Sequence, residues 1–329
     1  MAAGYLHKMR PGAQDFPLMV HIELTYVCNS LCPHCPYTAV NSDIRRRNWE
    51  KGNRHIDVKL FCKVADEVGR HKRFLRVTAG GEPMMHPDCV ELLIYAKNAG
   101  CSIGLITNGS LISPVVSEAL LDSGIDVIEF SVDAGDKKTY ERVRPGLDWD
   151  QLMRNIDFIN KKRDKERLKT RVIVSVISQK AVSGKIKQIE DFWKKKVDYV
   201  IVRKFLSWGI VNRGKSLDNT PFLNAQTPCP YPFERCAINQ EGKVILCGYD
   251  IKGQNPMGSV KSSSIEKIWN GPGYKRLREA MWVKEYNKIS FCRDCQDRIY
   301  RSWDHNYLKT LKNSQDIRNA ALVRKERSA

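Results

Sequence analysis

The sequence of 329 residues lacks the features that mark membrane-spanning and secreted proteins. It has no run of the ~18 consecutive apolar residues that a membrane-spanning helix needs. Its N-terminal segment lacks the basic-then-apolar pattern of a signal peptide. Its 11 cysteines are an odd number and are spaced unevenly, unlike those of a secreted disulfide scaffold. These absences predict a soluble, cytoplasmic protein whose cysteines bind metal.

Acidic residues are too few to balance the basic ones. The chain has 55 Lys and Arg against 37 Asp and Glu, a formal net charge of +18. Such a surplus favours an anionic partner or an acidic substrate. Much of it lies in runs typical of a solvated surface: Lys161–Lys169, Lys194–Lys196 and the tail Lys309–Arg327. Because basic residues do not alternate with stacking aromatics, the sequence does not favour nucleic-acid binding.

From Met19 to about Phe205, short apolar runs alternate with longer amphipathic stretches. The apolar runs predict strands at Val20–Tyr26, Phe74–Thr78, Ser102–Thr107, Val127–Val132, Arg171–Ile177 and Tyr199–Val202. Repeated units of a strand and a helix predict a parallel sheet covered by helices. Since six strands are fewer than the eight of a closed barrel, we expect an α/β fold with a partial (β/α)6 TIM-like barrel. In such folds the chemistry collects at the carboxyl ends of the strands.

The pattern changes after Trp208. The segment Asn212–Thr227 predicts a linker or lid, and spaced cysteines, a hairpin with its turn at Glu241-Gly242 and a helix near Ile265–Trp269 follow it. We therefore expect three parts: a barrel core over residues 1–211, a small cysteine-rich domain over 212–305 and a basic helical tail over 306–329.

The strongest motif follows the first predicted strand and reads Cys28-Asn29-Ser30-Leu31-Cys32-Pro33-His34-Cys35. Three thiolates so close together are suited to wrapping a loop around a metal centre. A structural zinc site needs four ligands, whereas three thiolates on a four-iron cubane leave one iron open to a small molecule. Two alternatives remain, a zinc site completed by His34 and buried inert cysteines.

This CxxxCxxC loop resembles that of the radical S-adenosylmethionine (SAM) superfamily, and the resemblance extends in order from about Val20 to Phe205. Gly80-Gly81-Glu82-Pro83 looks like the GGEP segment that holds the SAM amino group, and Thr107-Asn108-Gly109 and Ser131-Val132-Asp133 end the next two strands, where the family places ribose contacts. The resemblance implies a [4Fe–4S] cluster on Cys28, Cys32 and Cys35. It also implies SAM contacts from His34, Gly80, Gly81, Glu82, Pro83, Asn108, Ser131 and Asp133.

The resemblance further implies the chemistry. The reduced cluster would cleave SAM to methionine and a 5′-deoxyadenosyl radical, which abstracts a hydrogen atom from an unactivated C–H bond. A flavodoxin- or ferredoxin-type protein would supply the electron. The protein itself would position the reactants and exclude water, because the cofactor carries the difficult chemistry.

A second set of thiols, Cys229, Cys247, Cys292 and Cys295, comes from three segments. Four thiolates fill either a zinc shell or all four irons of a cubane. The surrounding residues, among them Gly242-Lys243-Val244 and Ile268-Trp269-Asn270-Gly271, resemble the auxiliary-cluster region of SPASM/Twitch radical SAM enzymes. Because no cysteine follows Cys295, the resemblance is to the Twitch type with one auxiliary [4Fe–4S] cluster, and implies two clusters in all.

Two candidate catalytic residues have several interpretations. Cys236 is a hairpin core residue, an alternative cluster ligand, or a thiol that returns a hydrogen atom to a substrate radical, as in an epimerase. Arg203 ends the sixth predicted strand and either grips an anionic group, such as the SAM carboxylate, or forms a structural ion pair. Three other cysteines, Cys62, Cys89 and Cys101, are predicted to be small buried hydrophobic residues.

For the reaction, we expect oxidation of a small polyol, a sugar or aminocyclitol, with the auxiliary cluster as electron acceptor. The segment Met1–Phe16 is too short for a peptide-recognition domain, which favours a small molecule. The alternative is a maturase of a ribosomally made peptide or protein, whose acidic leader a basic surface would attract. A non-enzymatic iron–sulfur carrier would have no use for an open iron or a GGEP segment.

Overall fold

The computed structural model of the chain describes residues 15–39, 54–78, 80–205, 229–251, 253, 255–293, 295 and 307–327. The strands in these ranges are β1 (Met19–Glu23), β2 (Phe74–Thr78), β3 (Ser102–Thr107), β4 (Val127–Ser131), β5 (Arg171–Ser178), β6 (Tyr199–Lys204), β7 (Arg235–Ile238), β8 (Lys243–Ile245) and β9 (Pro256–Ser259).

The α-helices in the same ranges are α1 (Pro36–Ala39), α2 (Val58–Arg70), α3 (Cys89–Asn98), α4 (Pro114–Asp122), α5 (Lys137–Val143), α6 (Trp149–Lys165), α7 (Ile186–Lys194), α8 (Tyr231–Glu234), α9 (Ile265–Trp269), α10 (Pro272–Trp282), α11 (Ser290–Arg293) and α12 (Tyr307–Arg327). Single 3₁₀ turns lie at Pro83–Met85, Lys180–Val182 and Tyr286–Lys288. None of these described helices is both long and apolar enough to cross a membrane.

The described strands form one sheet in the order β6-β5-β4-β3-β2-β1-β7-β8-β9. Every neighbouring pair from β6 to β1 is parallel, and each connection between consecutive strands carries a helix. The sheet does not close on itself, because β6 and β9 are its edges. The structure thus confirms the α/β fold class and the partial barrel of six parallel strands.

Strand β1 is shorter than the sequence predicts. It ends at Glu23, because the residues after it turn to pair with the segment that precedes α2. The backbone N–H of Ile56 donates to the carbonyl of Leu24 at 2.8 Å, and that of Tyr26 donates to the carbonyl of Arg54 at 3.1 Å. Leu24 and Tyr26, which precede the first cysteine, are therefore held by hydrogen bonds to the segment before α2 rather than by strand pairing in the sheet.

The cysteine-rich part continues the sheet of the barrel. Strand β7 pairs in parallel with β1, with Val20 opposite Cys236, and the antiparallel strands β8 and β9 follow it. A second link is the Glu67 carboxylate of α2, which accepts the backbone N–H groups of Ile265 and Glu266 at 2.9 Å each. The predicted boundaries at residues 211/212 and 305/306 lie outside the described residues, so the domain division stays a prediction.

Side chains alternate between the two faces of the sheet. In β1, Val20 and Ile22 belong to the large core beneath the helices, whereas His21 and Glu23 point to the concave inner face. The register of the sheet places Arg76, Glu129 and Arg203 on this same inner face, in β2, β4 and β6. The inner face therefore carries charged groups as well as apolar ones.

The last helix closes the amino end of the barrel. Tyr307 and Leu311 of α12 form an apolar cluster with strand residues at the amino ends of the inner face: Met19, Phe74, Val127 and Ile173. The buried residues of α12 recur at helical spacing: Tyr307, Leu311, Ser314 and Arg318. The segment interpreted as a solvated basic tail thus has one face packed on the barrel.

Candidate functional site

The predicted SAM-binding residues lie at the carboxyl edge of the first four strands. The cysteine loop follows β1, Gly80–Pro83 follow β2, Asn108 follows β3 and Asp133 follows β4. The carboxyl ends of neighbouring parallel strands meet at one edge of a sheet, which brings these distant segments into contact. This edge is where parallel α/β sheets bind their ligands.

The three cysteines of the loop differ in exposure. Cys32 is buried, whereas Cys28 and Cys35 are half-buried, and the Cys35 N–H donates to the Cys32 carbonyl at 3.0 Å. Within the part of the chain that the structure describes, no three Cys, His, Asp or Glu side chains are grouped as ligands of a single metal ion. This arrangement is compatible with a cubane, because there each thiolate binds a different iron.

The segment Gly80–Glu82 packs directly against the cysteine loop. A Cβ atom on Gly81 would lie 2.1 Å from the Val27 carbonyl oxygen, and one on Gly80 would lie 2.4 Å from the Tyr26 ring. The Glu82 N–H donates to the same Val27 carbonyl at 2.7 Å. The glycines were interpreted as allowing the backbone to approach a ligand; in the structure they allow it to approach the loop that carries the thiols.

The Glu82 carboxylate joins the ends of β2 and β3. Its Oε1 atom accepts the Thr107 hydroxyl at 2.7 Å and the Met84 N–H at 3.2 Å, and its Oε2 atom accepts the Asn108 N–H at 2.7 Å. Burial raises the pKa of this carboxyl group. Both oxygens already have donors within the protein, so pairing with an ammonium group would come in addition to these bonds.

Two further predicted residues extend this edge. The Asn108 Nδ2 atom donates to Asn29 Oδ1 at 2.8 Å, which ties the end of β3 to the cysteine loop. Ser131 is the half-buried last residue of β4 and lies opposite Ser175 on the inner face. Asn108 thus supports the loop, and Ser131 lines the cavity side of the sheet.

Asp133 organises the remaining predicted residues. It is 1% exposed, adopts a left-handed backbone with φ of +62°, and accepts the Ile177 N–H at 2.7 Å. Its Oδ2 atom lies 2.6 Å from Arg144 Nη2 and 3.2 Å from His34 Nε2. Burial opposes ionisation, but Arg144 and His34 outweigh it and lower the pKa of Asp133. The sequence analysis did not identify Arg144. The feature that could have indicated it is the position of this basic residue directly before the Pro145-Gly146 turn.

Several buried polar atoms at this edge have no hydrogen-bond partner among the described residues: Glu23 Oε2, His34 Nδ1, Tyr140 OH and Gln179 Nε2. Buried polar groups in proteins are nearly always paired. Unmatched donors and acceptors at the edge of the sheet that carries the three thiols are the environment that a polar ligand and a cluster would complete. The residues present therefore fit SAM and an iron–sulfur cluster.

Glu23 is a functional candidate that the sequence interpretation also missed. It is 7% exposed on the inner face at the end of β1, and its Oε1 atom accepts the Tyr37 hydroxyl at 2.8 Å. Burial raises the pKa of the Glu23 carboxyl group to about 7. A carboxyl group of this kind in a cleft is a candidate for proton transfer. The sequence feature that could have indicated Glu23 is a single acidic residue at the end of the apolar strand β1.

Arg203 forms the ion pair that was one of its two interpretations. Its Nη2 atom lies 2.6 Å from Glu129 Oε1, while Arg76 Nη2 lies 3.1 Å from Glu129 Oε2. Burial opposes ionisation of Glu129, but the two guanidinium groups outweigh it and lower its pKa to about 2. The Arg76 guanidinium also stacks on the Tyr307 ring at 4.2 Å.

Cys236 is a core residue of the hairpin. Its place opposite Val20 puts its side chain on the helix-covered face of the sheet, away from the inner face that carries Glu23. It is 1% exposed, and burial raises the pKa of its thiol to about 12. This placement matches the hairpin core residue among its three interpretations, and its roles as a hydrogen-atom donor or an alternative ligand stay predictions. Cys89 and Cys101 are buried as expected, and Cys62 is half-buried.

The second set of cysteines lies on three segments linked by other contacts. Cys229 is half-buried before α8, and Cys247 is buried just after β8. The Gly248 N–H donates to the Tyr231 side-chain oxygen at 3.1 Å, which ties these two segments together. Arg278 of α10 donates through Nε to the Pro232 carbonyl at 2.8 Å.

The third segment holds the CxxC pair. Cys292 is buried in α11, and the N–H of the half-buried Cys295 donates to the Cys292 carbonyl at 3.3 Å. The turn Tyr286–Lys288 packs against both α11 and α10, and α10 packs against α8. The segments that bear the four thiols thus form one connected unit.

Comparison with protein families agrees with this geometry. Residues 22–175 match the radical SAM superfamily, and residues 229–296 match SPASM, an iron–sulfur cluster-binding domain. The chain therefore belongs to the radical SAM superfamily and carries a C-terminal SPASM domain. It is a radical SAM enzyme whose cofactors are SAM and two [4Fe–4S] clusters.

Curated relatives are similar at moderate identity. The AdoMet-dependent heme synthase of Methanosarcina barkeri is 28% identical over 147 residues, 44% of this chain and 40% of that protein. The mycofactocin maturase MftC of Mycolicibacterium smegmatis is 29% identical over 144 residues, 44% of this chain and 34% of that protein. These alignments span less than half of either relative. The PqqA peptide cyclase of Granulibacter bethesdensis is 23% identical over 330 residues, covering 86% of this chain and 80% of that protein.

Solved structures share the fold. Streptococcus suis SuiB bound to its precursor peptide SuiA matches with a TM-score of 0.63 at 16% identity, covering 84% of this chain and 69% of SuiB. BtrN in complex with AdoMet and 2-DOIA matches with a TM-score of 0.51 at 17% identity, covering 84% of this chain and 92% of BtrN.

Proposed function

We propose that this radical SAM enzyme is a maturase that oxidises a peptide or protein substrate. The observation that carries the proposal is the alignment with a PqqA peptide cyclase, which spans 86% of this chain. The similarity to the maturase MftC supports it. The formal net charge of +18 suits an acidic peptide, because a basic surface attracts acidic partners over long range.

The described residues divide the work of such a reaction. When bound, a reduced [4Fe–4S] cluster and SAM supply hydrogen-atom abstraction from a substrate C–H bond. Cys28, Cys32 and Cys35 hold that cluster, and the contact between Asn29 and Asn108 keeps their loop against β3. Glu23 accepts the proton that an oxidised substrate releases, and the Tyr37 hydroxyl orients it.

The thiols Cys229, Cys247, Cys292 and Cys295 hold the auxiliary cluster in this proposal. They lie on segments fixed to the barrel by the pairing of β7 with β1 and by the Glu67 carboxylate. A cluster fixed in this way keeps a constant position relative to the carboxyl edge. This rigidity suits an electron acceptor that must stand beside the substrate.

The expectation of a small polyol substrate is replaced by this proposal. It relied on the single auxiliary cluster and on the short segment Met1–Phe16, and neither feature distinguishes a sugar from a peptide. The likeness to BtrN, at 17% identity, supports the fold alone.

The test is anaerobic reconstitution followed by product analysis. We expect about eight irons per chain, two cubanes of four, and release of 5′-deoxyadenosine from SAM under reduction. Short acidic peptides encoded next to the gene, incubated with the enzyme, should lose the mass of two hydrogen atoms. Four irons and one zinc per chain would contradict the auxiliary cluster. An oxidised sugar or aminocyclitol beside unchanged peptides would replace the maturase proposal by polyol oxidation.

A further inference from the structure

Cys32 has polar contacts on two sides of its sulfur atom. Its Sγ atom lies 3.1 Å from the Ser30 hydroxyl oxygen and 3.9 Å from Arg144 Nη1. Ser30 also contacts the carbonyl oxygen of Pro145 at 3.0 Å. The turn after α5 therefore covers the loop at its buried thiol, and a guanidinium group points at the sulfur.

The guanidinium is held in place by its other nitrogen atoms. Nη2 of Arg144 lies 2.6 Å from Asp133 Oδ2, and Nε donates to the carbonyl of Val132 at 3.2 Å. Arg144 is 7% exposed, and its partner Asp133 is itself fixed by the Ile177 N–H. A buried arginine with all three nitrogens engaged cannot turn away from Cys32 without breaking its ion pair with Asp133.

We propose that Arg144 is a positioning residue that raises the reduction potential of the cluster bound through Cys32. The inference rests on the proposed function, in which Cys28, Cys32 and Cys35 hold the SAM-binding cluster. Reduction adds a negative charge to the cluster, and a guanidinium that donates to a ligating sulfur stabilises that charge. Hydrogen bonds to sulfur and nearby charge are the means by which proteins set the potentials of such clusters.

Asp133 has two effects on the interaction between Arg144 and Cys32. Its negative charge offsets part of the field of Arg144, whose guanidinium contacts the sulfur through Nη1 and the carboxylate through Nη2. The carboxylate also fixes the direction of the guanidinium through a short charge-assisted bond. Replacing Arg144 alone leaves a buried carboxylate without its guanidinium partner, so the matched variant neutralises both members of the pair.

The experiment is a redox titration of the reconstituted enzyme followed by electron paramagnetic resonance. The signal that changes when SAM is added identifies the cluster with the open iron, and so separates it from the auxiliary cluster. We expect Arg144→Met and the double variant Arg144→Met/Asp133→Asn to shift the reduction equilibrium about tenfold toward the oxidised cluster, which is about 59 mV for one electron. Arg144→Lys keeps the charge and should recover part of the shift.

Three outcomes decide the inference. A lowered potential in a variant with wild-type iron content supports it, whatever the rate of SAM cleavage. An unchanged potential in a fully loaded variant overturns it, and so does loss of iron in both the single and the double variant, which would assign Arg144 a folding role. A wild-type chain that shows no SAM-responsive cluster would instead overturn the proposed function.

Discussion

The two ends of the barrel differ in the side chains that hold them together. At the carboxyl end, charged side chains such as Glu82, Asp133 and Arg144 join the strand ends to one another and to the cysteine loop. At the amino end, Tyr307 and Leu311 of α12 pack on apolar residues of the inner face. Ligand chemistry and packing are thus separated along the barrel axis, as in other barrels of this kind.

The largest effect should follow from removing the thiols of the carboxyl end. Replacing Cys28, Cys32 and Cys35 together with Ala should abolish 5′-deoxyadenosine formation, because no open iron remains to bind SAM. The measurement is nucleoside release under reduction, with Cys62→Ala as the matched control. Undiminished SAM cleavage in the triple variant would contradict the assignment of the loop.

Loss of the second thiol set should separate SAM cleavage from product formation. A folded Cys295→Ala protein should still release 5′-deoxyadenosine but form little or no product, because the substrate radical loses its electron acceptor. Since metal binding and folding are coupled, the fold is checked first by circular dichroism. Product formation at the wild-type rate would make the auxiliary cluster a structural element only.

A substitution at the amino end should change the stability of the protein rather than its SAM cleavage. Leu311→Ala removes a buried side chain from the α12 contact and should lower the free energy of unfolding by about 2–4 kcal/mol. SAM cleavage by the folded protein should stay near the wild-type rate. The control is Ile317→Ala on the same helix, whose side chain is 46% exposed and whose loss should cost little. A Leu311→Ala protein of wild-type stability that loses SAM cleavage would break the separation between the two ends.

The smallest effect is a pH dependence from Glu23. Its folded pKa is raised from 4.5 to about 7, so the unfolded chain releases this proton first as pH rises, and stability is lost between those values. Glu23→Gln removes this loss of stability. The free energy of unfolding of the variant should therefore exceed that of the wild type by an amount that grows with pH and reaches about 1–3 kcal/mol above pH 7. Urea denaturation across this range measures it, with the exposed Glu118→Gln as control. A gain that does not vary with pH would place Glu23 in a more polar environment than its burial indicates.

Local patterns in the sequence predicted the parts that depend on neighbouring residues. The strands Phe74–Thr78 and Ser102–Thr107 and the helix Ile265–Trp269 have the predicted bounds, because each is a short apolar segment with clear limits. The choice among the three interpretations of Cys236 could not be made in this way. Its face depends on the register between β7 and β1, strands separated by most of the chain.

The candidate site also has features that local sequence patterns predicted and features that they did not. The cysteine spacing and the strand-end motifs identified the segments that meet at the carboxyl edge. The contact of Arg144 with Cys32 and the burial of Glu23 depend on how those segments pack, and a single charged residue in the sequence does not reveal it. The packed face of α12 was hidden for another reason, since the abundance of lysine and arginine around it resembles a solvated run.

The pairing of β7 with β1 protects the strand that leads to the cysteine loop. In the described sheet β1 lies between β2 and β7, and its residues from Met19 to Glu23 are all buried. Without β7, this strand would present a row of unpaired N–H and C=O groups and an apolar flank, the pattern that recruits strands from other molecules. A barrel cut off before residue 229 would thus be prone to aggregate, even with every residue of the SAM-binding edge retained.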